Sequence, residues 1–168
     1  GATLSVALLP ADRSPMPYSE ASLAAGSSWT KCRARLKLPE GAVGRGAPCA
    51  FAIRLHGGGM AWVDQVLAFP ADHLKGWDPD VVRYVRDAGV SLIRFPGGNF
   101  VSGYRLEDGV GPPDKRPVKP NPAWEGVEWN HVGSDEWIDF CRLVGAEPMI
   151  CVNAGDGTPE EAAAWVKH

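Results

Sequence analysis

The chain has 168 residues, about the length of one domain, and its 45% hydrophobic and 22% charged content is ordinary for a globular protein. The formal net charge of −3 offers no broad basic surface, so we expect no nucleic-acid partner. No apolar run approaches the roughly 20 residues of a membrane-spanning helix, so we expect no membrane partner either.

The first 70 residues have the pattern of short antiparallel strands separated by turns. The strand segments are TLSVALL, SEASL, WTKCRARLKL and CAFAIRLHGGGMAWVDQVLAF, and the piece PEGAVGRGAP is rich in turn residues. Within Cys32–Leu38, small and apolar residues alternate with Lys and Arg, which predicts a half-buried strand. We therefore predict part of a β-sandwich over residues 1–70.

From residue 78 the pattern changes to helices alternating with buried strands. Asp78 as N-cap and Pro79 at the first helical position predict a helix that ends at Gly89. Its predicted buried face consists of Val81, Val85 and Ala88. The apolar run VSLIRF follows at once and predicts a buried strand.

A second helix and strand repeat this order. The segment SDEWIDFCRLVG predicts a helix from Ser134 that stops at Gly145, and AEPMICVN predicts the next strand. Thr158 and Glu161 form the capping-box pattern of a third helix. Such alternation predicts parallel strands joined by helical crossovers. The long loop from Pro96 to Gly133 follows a parallel strand at its C-terminal end, where α/β proteins build their sites.

Two glycine-rich motifs are similar to catalytic signatures. In GNFVSGY the Gly-x4-Gly spacing matches a phosphate-binding loop, but Tyr104 stands where such a loop needs Lys. His56–Gly59 (HGGG) resembles the oxyanion loop of lipases, but the chain has no GxSxG nucleophile motif. We interpret the first as a turn beside a ligand or a tight turn only, and the second as a hairpin turn.

The histidines and cysteines predict neither a metal nor a cofactor. The four His residues form no ligand cluster, and the four Cys residues contain no CxxC pair. Cys32 and Cys49 could face each other across two strands, so a disulfide between them stays open as the less favoured alternative.

Carboxylates and tryptophans fit a carbohydrate site better. Glycoside hydrolysis needs two carboxyl groups, and loop acids could supply them. The loop acids are Glu107, Asp108, Asp114 and Asp156, whereas Asp135, Glu136, Glu160 and Glu161 lie in first helical turns. Glu107 and Asp108 are balanced between pairing with a loop cation and touching a ligand. The seven Trp residues present flat apolar faces that suit sugar rings, although most Trp side chains serve as core anchors.

The stretches IRFPGGNFVSGYRLEDGVGPPDKRP and AWEGVEWNHVGSDEWIDFCRLVGAEPMICVNAGDGTPEEAAAWV resemble the α-L-arabinofuranosidases of glycoside hydrolase family 51. The resemblance is dense from Trp62 onward. The segment WVDQVLAFP is similar to the junction in members that carry a β-sandwich, carbohydrate-binding-module-like insert before the second barrel strand.

The resemblance implies a mixed α and β fold in two parts. Residues 1–70 would be a partial, jelly-roll-like β-sandwich, and residues 71–168 a partial (β/α)8 barrel with strands two and three and their helices. It implies a retaining hydrolase that removes terminal α-L-arabinofuranosyl groups from plant oligosaccharides or polysaccharides. The family uses a Glu acid/base after strand four and a Glu nucleophile after strand seven.

Five residues match substrate-binding positions by this resemblance. Arg94 ends the second barrel strand beside the sugar subsite, and Asn99 lies on the Gly-Gly corner that contacts arabinose. Tyr104 and Glu107 lie on a loop that resembles part of the cleft wall, and Asn153 ends the third strand and lines the pocket.

The departures from the family are equally informative. The chain stops at His168, and neither catalytic Glu has a counterpart; the first barrel strand is also missing. Leu106 replaces the Trp usual before Glu-Asp-Gly. We therefore expect a fragment that is inactive alone and that forms a homo-oligomer or associates with the missing remainder. Localisation stays open, with an extracellular or periplasmic place favoured over the cytoplasm.

Two alternative functions remain open. The β part and its Trp residues could form a non-catalytic carbohydrate-binding module. The barrel part could instead belong to an endo-glucanase or xylanase of the same barrel class, because much of the selecting pocket lies outside the chain.

Overall fold

The computed structural model describes residues 3–44 and 46–168, which divide into two compact units between Asp64 and Gln65. Among these residues no helix combines the length and the apolar character that crossing a bilayer requires. The predicted assignment of residues 1–70 and 71–168 to two fold types stays a prediction, and each unit is described by itself.

The first unit contains a three-stranded antiparallel sheet. Its strands are β1 (Thr3–Pro10), β2 (Ser19–Leu23) and β3 (Cys49–His56), in the order β2-β1-β3. Val6 of the central strand lies opposite Ala21 and Ile53. The predicted strands TLSVALL and SEASL are confirmed, as is the first part of the predicted segment from Cys49.

The two faces of this sheet differ because side chains alternate along a strand. Ser5, Ala7 and Leu9 are buried on one face. On the other face Phe51, Ile53 and Leu55 remain 42%, 37% and 39% exposed. The sheet therefore presents an apolar face that is only half covered.

Polar side chains tie the three strands together. Glu20 accepts hydrogen bonds from the Ser5 hydroxyl and from Arg54, whose Nη1 lies 3.0 Å from Oε2 of Glu20. Nε2 of His56 lies 3.2 Å from Oε1 of the same carboxylate. The Ser5 hydrogen bond is the largest of the effects that lower the pKa of Glu20, despite opposition from partial desolvation.

The predicted strand at Cys32–Leu38 is wrong. The chain has no strand there; Cys32 and Leu36 are only partly buried, and Leu38 is 43% exposed. Alternation supplies one apolar face, but a strand also needs a neighbour for its backbone N–H and C=O groups. Residues 60–69, at the end of the predicted segment from Cys49, likewise contain no strand. Cys32 and Cys49 are free thiols, not a disulfide.

The second unit alternates helices with strands, as predicted. Its helices are α1 (Pro79–Asp87), α2 (Ser134–Val144) and α3 (Pro159–Lys167), and its strands are β4 (Leu92–Phe95), β5 (Lys119–Pro120), β6 (Val127–Glu128) and β7 (Glu147–Ile150). β4 and β7 pair in parallel with Arg94 opposite Met149, which confirms the parallel prediction. The long loop contains three short 3-10 turns and the β5-β6 hairpin.

The helix ends follow the predicted caps. The Asp78 carboxylate accepts from the backbone N–H of Asp80 at 2.8 Å. Thr158 and Glu161 form the reciprocal capping box, with N–H-to-oxygen distances of 2.8 and 3.2 Å. Helix α2 begins at Ser134, and Gly145 ends it in the left-handed conformation with φ of 78°.

The core of the second unit lies between α1, α2 and β4. Val82, Phe140 and Val144 are buried at its centre, with partly buried Trp77, Val85, Ile93, Trp137, Leu143 and Ala146 packed around them. The predicted face of α1 is therefore partly wrong, because Val82 is 1% exposed and Val81 is 46% exposed. Val82 and Val85 are three positions apart and share the stripe that meets α2.

This core generates a matched test on adjacent valines. Val82→Ala is expected to lower the free energy of unfolding by about 2 kcal/mol, because it removes buried methyl groups and leaves a cavity. Val81→Ala is the control and should change it by less than about 0.5 kcal/mol. Urea denaturation of both variants measures the difference, and equal losses would contradict the assigned face.

Candidate functional site

The carboxyl end of β4 forms a sharp corner with two exposed polar side chains. Arg94 is the next-to-last residue of β4 and Asn99 follows the Gly97-Gly98 pair, and both are exposed. Gly98 has φ of 60°, a conformation that favours glycine. The corner thus offers a guanidinium and a carboxamide to solvent at the edge where parallel strands end.

An exposed tryptophan completes this corner. A Cβ on Gly98 would lie 2.8 Å from Cζ2 of Trp124, so the indole is packed directly against this glycine. Trp124 is nevertheless 64% exposed. The Asn121 side chain orients it by accepting the backbone N–H groups of Ala123 and Trp124 at 3.1 and 3.0 Å.

Sequence reasoning did not single out Trp124. The Asn-Pro pair at 121–122 predicts a turn, but a turn does not reveal which glycine an indole will meet. The contact joins residues far apart in the chain and becomes visible only in the structure.

The neighbouring loop acids divide between the two roles weighed from the sequence. Asp108 accepts from Lys119 Nζ at 2.6 Å, so it pairs with a loop cation. Glu107 lies in the 3-10 turn Leu106–Gly109 and is exposed. Of these two acids, Glu107 is therefore the one that remains exposed as a predicted ligand contact.

Tyr104, predicted on the cleft-wall loop, has its ring in the interior. It is 4% exposed, and its ring centroid lies 5.5 to 5.6 Å from those of Phe95, Phe100 and Trp165. Within the described part of the chain its hydroxyl has no hydrogen-bond partner. Burial raises the pKa of Tyr104 to about 12.

Both polar atoms of the Asn153 side chain form hydrogen bonds within the protein. Its Nδ2 donates to the Tyr104 carbonyl at 3.2 Å and to Asp156 at 3.0 Å. Its Oδ1 accepts from the N–H groups of Gly155 and Asp156 at 3.1 and 3.2 Å. The structure thus brings Tyr104 and Asn153 together, and this pair ties the loop after β4 to the segment after β7.

A partly buried ion pair that joins this loop to α2 was also missed from the sequence. Arg116 is 4% exposed and makes two hydrogen bonds to the Glu136 carboxylate, at 2.8 and 2.9 Å. Partial burial opposes ionisation of Glu136, but the Arg116 hydrogen bonds and the Gly133 N–H hold its pKa below the usual value. Glu136 lies in a first helical turn, as predicted. No sequence pattern predicted Arg116 as its partner.

In residues 3–44 and 46–168, no group of three or more His, Cys, Asp or Glu side chains is arranged to hold a metal ion. The corner offers hydrogen-bonding groups on Arg94 and Asn99 and the apolar indole face of Trp124.

Comparison with known proteins gives this corner a context. Residues 84–166 match the family model described as the alpha-L-arabinofuranosidase 1 domain. The match includes all of the residues from β4 to β7, the last four residues of α1 and most of α3.

Curated relatives carry the same activity in their names. Alpha-L-arabinofuranosidase C of Emericella nidulans is 44% identical over 99 residues, covering 59% of this chain and 20% of the relative. An intracellular exo-alpha-(1->5)-L-arabinofuranosidase of Halalkalibacterium halodurans is 44% identical over 94 residues, covering 56% and 19%. The chain spans about one fifth of the length of the curated relatives it matches.

Solved structures agree. An α-L-arabinofuranosidase of Thermotoga maritima in an arabinose complex is 48% identical with a TM-score of 0.54, covering 55% of this chain and 19% of that one. A thermostable GH51 enzyme of Thermotoga petrophila is 46% identical with a TM-score of 0.56, covering 59% and 21%. A third GH51 structure, MgGH51, aligns with 99% of this chain and 29% of its own at a TM-score of 0.60, but at 20% identity it shows the fold alone.

The chain is therefore related to the α-L-arabinofuranosidases, which are glycosidases. Within that class it is related to the enzymes of glycoside hydrolase family 51, and the resemblance predicted from the sequence is confirmed.

The unpartnered Tyr104 hydroxyl yields a prediction on stability and pH. Tyr104→Phe should leave the free energy of unfolding within about 1 kcal/mol of the parent or raise it, because no hydrogen bond is lost. The folded-state pKa lies near 12 and the usual value is 10.0, so the parent should lose stability as pH rises from 10 towards 12, when only the unfolded chain ionises.

Denaturation at pH 8 and pH 11 measures both effects. Tyr104→Phe should lose less stability between these pH values than the parent does. Tyr84→Phe, at a tyrosine that is 62% exposed, is the control and should behave like the parent. A large loss in Tyr104→Phe at pH 8 would reveal a hydrogen bond that the structure lacks.

Proposed function

We propose that this chain supplies the arabinose-facing corner of a retaining exo-α-L-arabinofuranosidase that acts on arabinose-containing plant polysaccharides. The observation that carries the proposal is the match of residues 84–166 to the arabinofuranosidase domain, with relatives at 44% identity. The chain spans about one fifth of these relatives, so we propose the activity and the substrate for the whole protein.

The fold proposal is finer than the mixed α and β architecture. We propose that residues 1–70 belong to a jelly-roll-like β-sandwich and residues 71–168 to strands two and three of a (β/α)8 barrel. The antiparallel order β2-β1-β3 supports the first assignment. The parallel pair β4 and β7, with α2 between them in the chain, supports the second.

The sugar site would be formed by the corner after β4. Arg94 can donate to ring or hydroxyl oxygens, and Asn99 can both donate and accept. The exposed face of Trp124 can pack on the apolar face of a furanose, beside Gly98. Glu107 would complete the wall from the following turn.

Tyr104 and Asn153 would act from beneath the site. The Tyr104 ring is buried and the Asn153 amide is saturated by backbone and Asp156 contacts. We propose that both shape the wall by holding the loop after β4 against the segment after β7.

The 168 residues by themselves are expected to bind the sugar without cleaving it. Retaining hydrolysis needs two carboxyl groups about 5 to 5.5 Å apart, one as acid/base and one as nucleophile. The resemblance assigns both roles to Glu residues without counterparts in this sequence.

Association is part of the proposal. The half-covered face bearing Phe51, Ile53 and Leu55 supports contact with a second copy or with a further part of the protein.

A binding experiment tests the sugar site. Calorimetric titration with α-1,5-L-arabinotriose should show binding, and Trp124→Ala should weaken it about tenfold by removing the stacking face. Asn99→Ala should weaken it about fivefold through lost hydrogen bonds. Trp29→Ala is the matched control, because Trp29 is 73% exposed and lies in the first unit.

The other outcomes identify the alternatives. A carbohydrate-binding module is favoured by the exposed Trp29 and Trp62 of the first unit, each 73% exposed. It would be supported if Trp29→Ala or Trp62→Ala, and not Trp124→Ala, removed binding. Preference for xylotriose or cellotriose would favour the endo-xylanase or endo-glucanase alternative. Turnover of an aryl α-L-arabinofuranoside by the chain alone would contradict its expected inactivity.

A further inference from the structure

Arg116 is a buried cation whose donors are occupied by the protein itself. Its Nε and Nη2 donate to the Gly111 carbonyl at 3.0 and 2.7 Å, and its Nη1 donates to the Asn130 carbonyl at 3.0 Å. Nη1 and Nη2 also donate to the two oxygens of Glu136. A guanidinium this fully satisfied fixes the backbone segments around it, because each lost contact would leave a buried polar group unpaired.

These contacts close the base of the β5-β6 hairpin. Arg116 precedes β5 and Asn130 follows β6, so one side chain joins the two ends of the hairpin. Asn130 adds a second closure, because its Nδ2 donates to the Pro117 carbonyl at 2.8 Å. Asn130 is 2% exposed and has φ of 54°.

The same side chain fastens this base to a rigid element. Glu136 lies in the first turn of α2, where its carboxylate also accepts the Gly133 N–H at 2.8 Å. Helix α2 is in turn packed into the core through Phe140 and Val144. The base of the hairpin is thus anchored, through Glu136 and α2, to the core of the unit.

The tip of the hairpin carries Trp124. The lateral ion pair from Lys119 to Asp108 is half exposed on the lysine side, and such a pair contributes little to holding a loop in place. The direction of the tip therefore depends on its base.

We infer that Arg116 is a positioning residue that sets the Trp124 indole against the Gly98 corner. It does so through the clamp to Gly111, Asn130 and Glu136. The consequence for sugar binding rests on the proposed function, whereas the placement of Trp124 does not.

Nuclear magnetic resonance gives a readout that a general loss of stability would not produce. In Arg116→Lys, a point charge replaces the planar fork, and the Trp124 indole N–H and Gly98 amide peaks should shift or broaden. The Trp77 indole N–H is the internal reference and should not move, because the Trp77 ring packs in the core with its centroid 4.4 Å from that of Phe140. Affinity for α-1,5-L-arabinotriose should fall about fivefold.

Two further variants make the test decisive. Asn130→Gly removes the second closure without burying an unpaired charge, suits the positive φ and should move the same two peaks. Arg86→Lys is the matched control: Arg86 also donates to a backbone carbonyl, that of Leu143, away from the hairpin, and neither peak should move.

The remaining outcomes are each informative. Unchanged Trp124 and Gly98 peaks in a folded Arg116→Lys variant would overturn the inference. Movement of the Trp77 peak together with the others, or unfolding of both the Arg116 and Asn130 variants, would assign Arg116 to general stability instead and also overturn the inference. A parent chain that binds no arabinotriose would refute the proposed function while the peak positions still decide the role of Arg116.

Discussion

The parallel pairing of β4 with β7 is the constraint on which the candidate site depends. Because parallel strands end at the same edge, the pairing brings the segments after Phe95 and after Ile150 together. Asn153 can then bond to the Tyr104 carbonyl, although the two residues are 49 positions apart. Without that register the segment after β7 would not lie beside the loop that follows the corner at Arg94 and Asn99.

Buried polar groups in this unit hold the backbone in place, whereas the candidate ligand contacts are exposed. Arg116 and Asn153 spend nearly all of their hydrogen-bonding capacity on backbone groups and neighbouring carboxylates. Because their donors and acceptors are already hydrogen-bonded, they have little capacity to bind a ligand. The same hydrogen bonds hold the irregular backbone around them in one conformation. Arg94, Asn99 and Glu107 are exposed, and in the proposed function they are the groups that contact the sugar.

The sequence was most informative where the determinants are local. Caps at Asp78 and Thr158, the stop at Gly145 and the alternation of helices with strands were all predictable, because neighbouring residues decide them. The alternation at Cys32–Leu38 was misleading, because strand formation needs a partner that local pattern does not supply. The indole of Trp124 on Gly98 and the Arg116–Glu136 pair were out of reach, since each joins segments 20 or more residues apart.

The order β2-β1-β3 has a consequence for how the first unit meets other chains. Among the described residues, β2 and β3 each pair on one side only, so both outer strands present unpaired backbone donors and acceptors. An extended peptide could add to either side by main-chain hydrogen bonds, with little regard for its sequence. These open edges and the partly exposed side chains of Phe51 and Ile53 are features that favour strand addition and, at high concentration, aggregation.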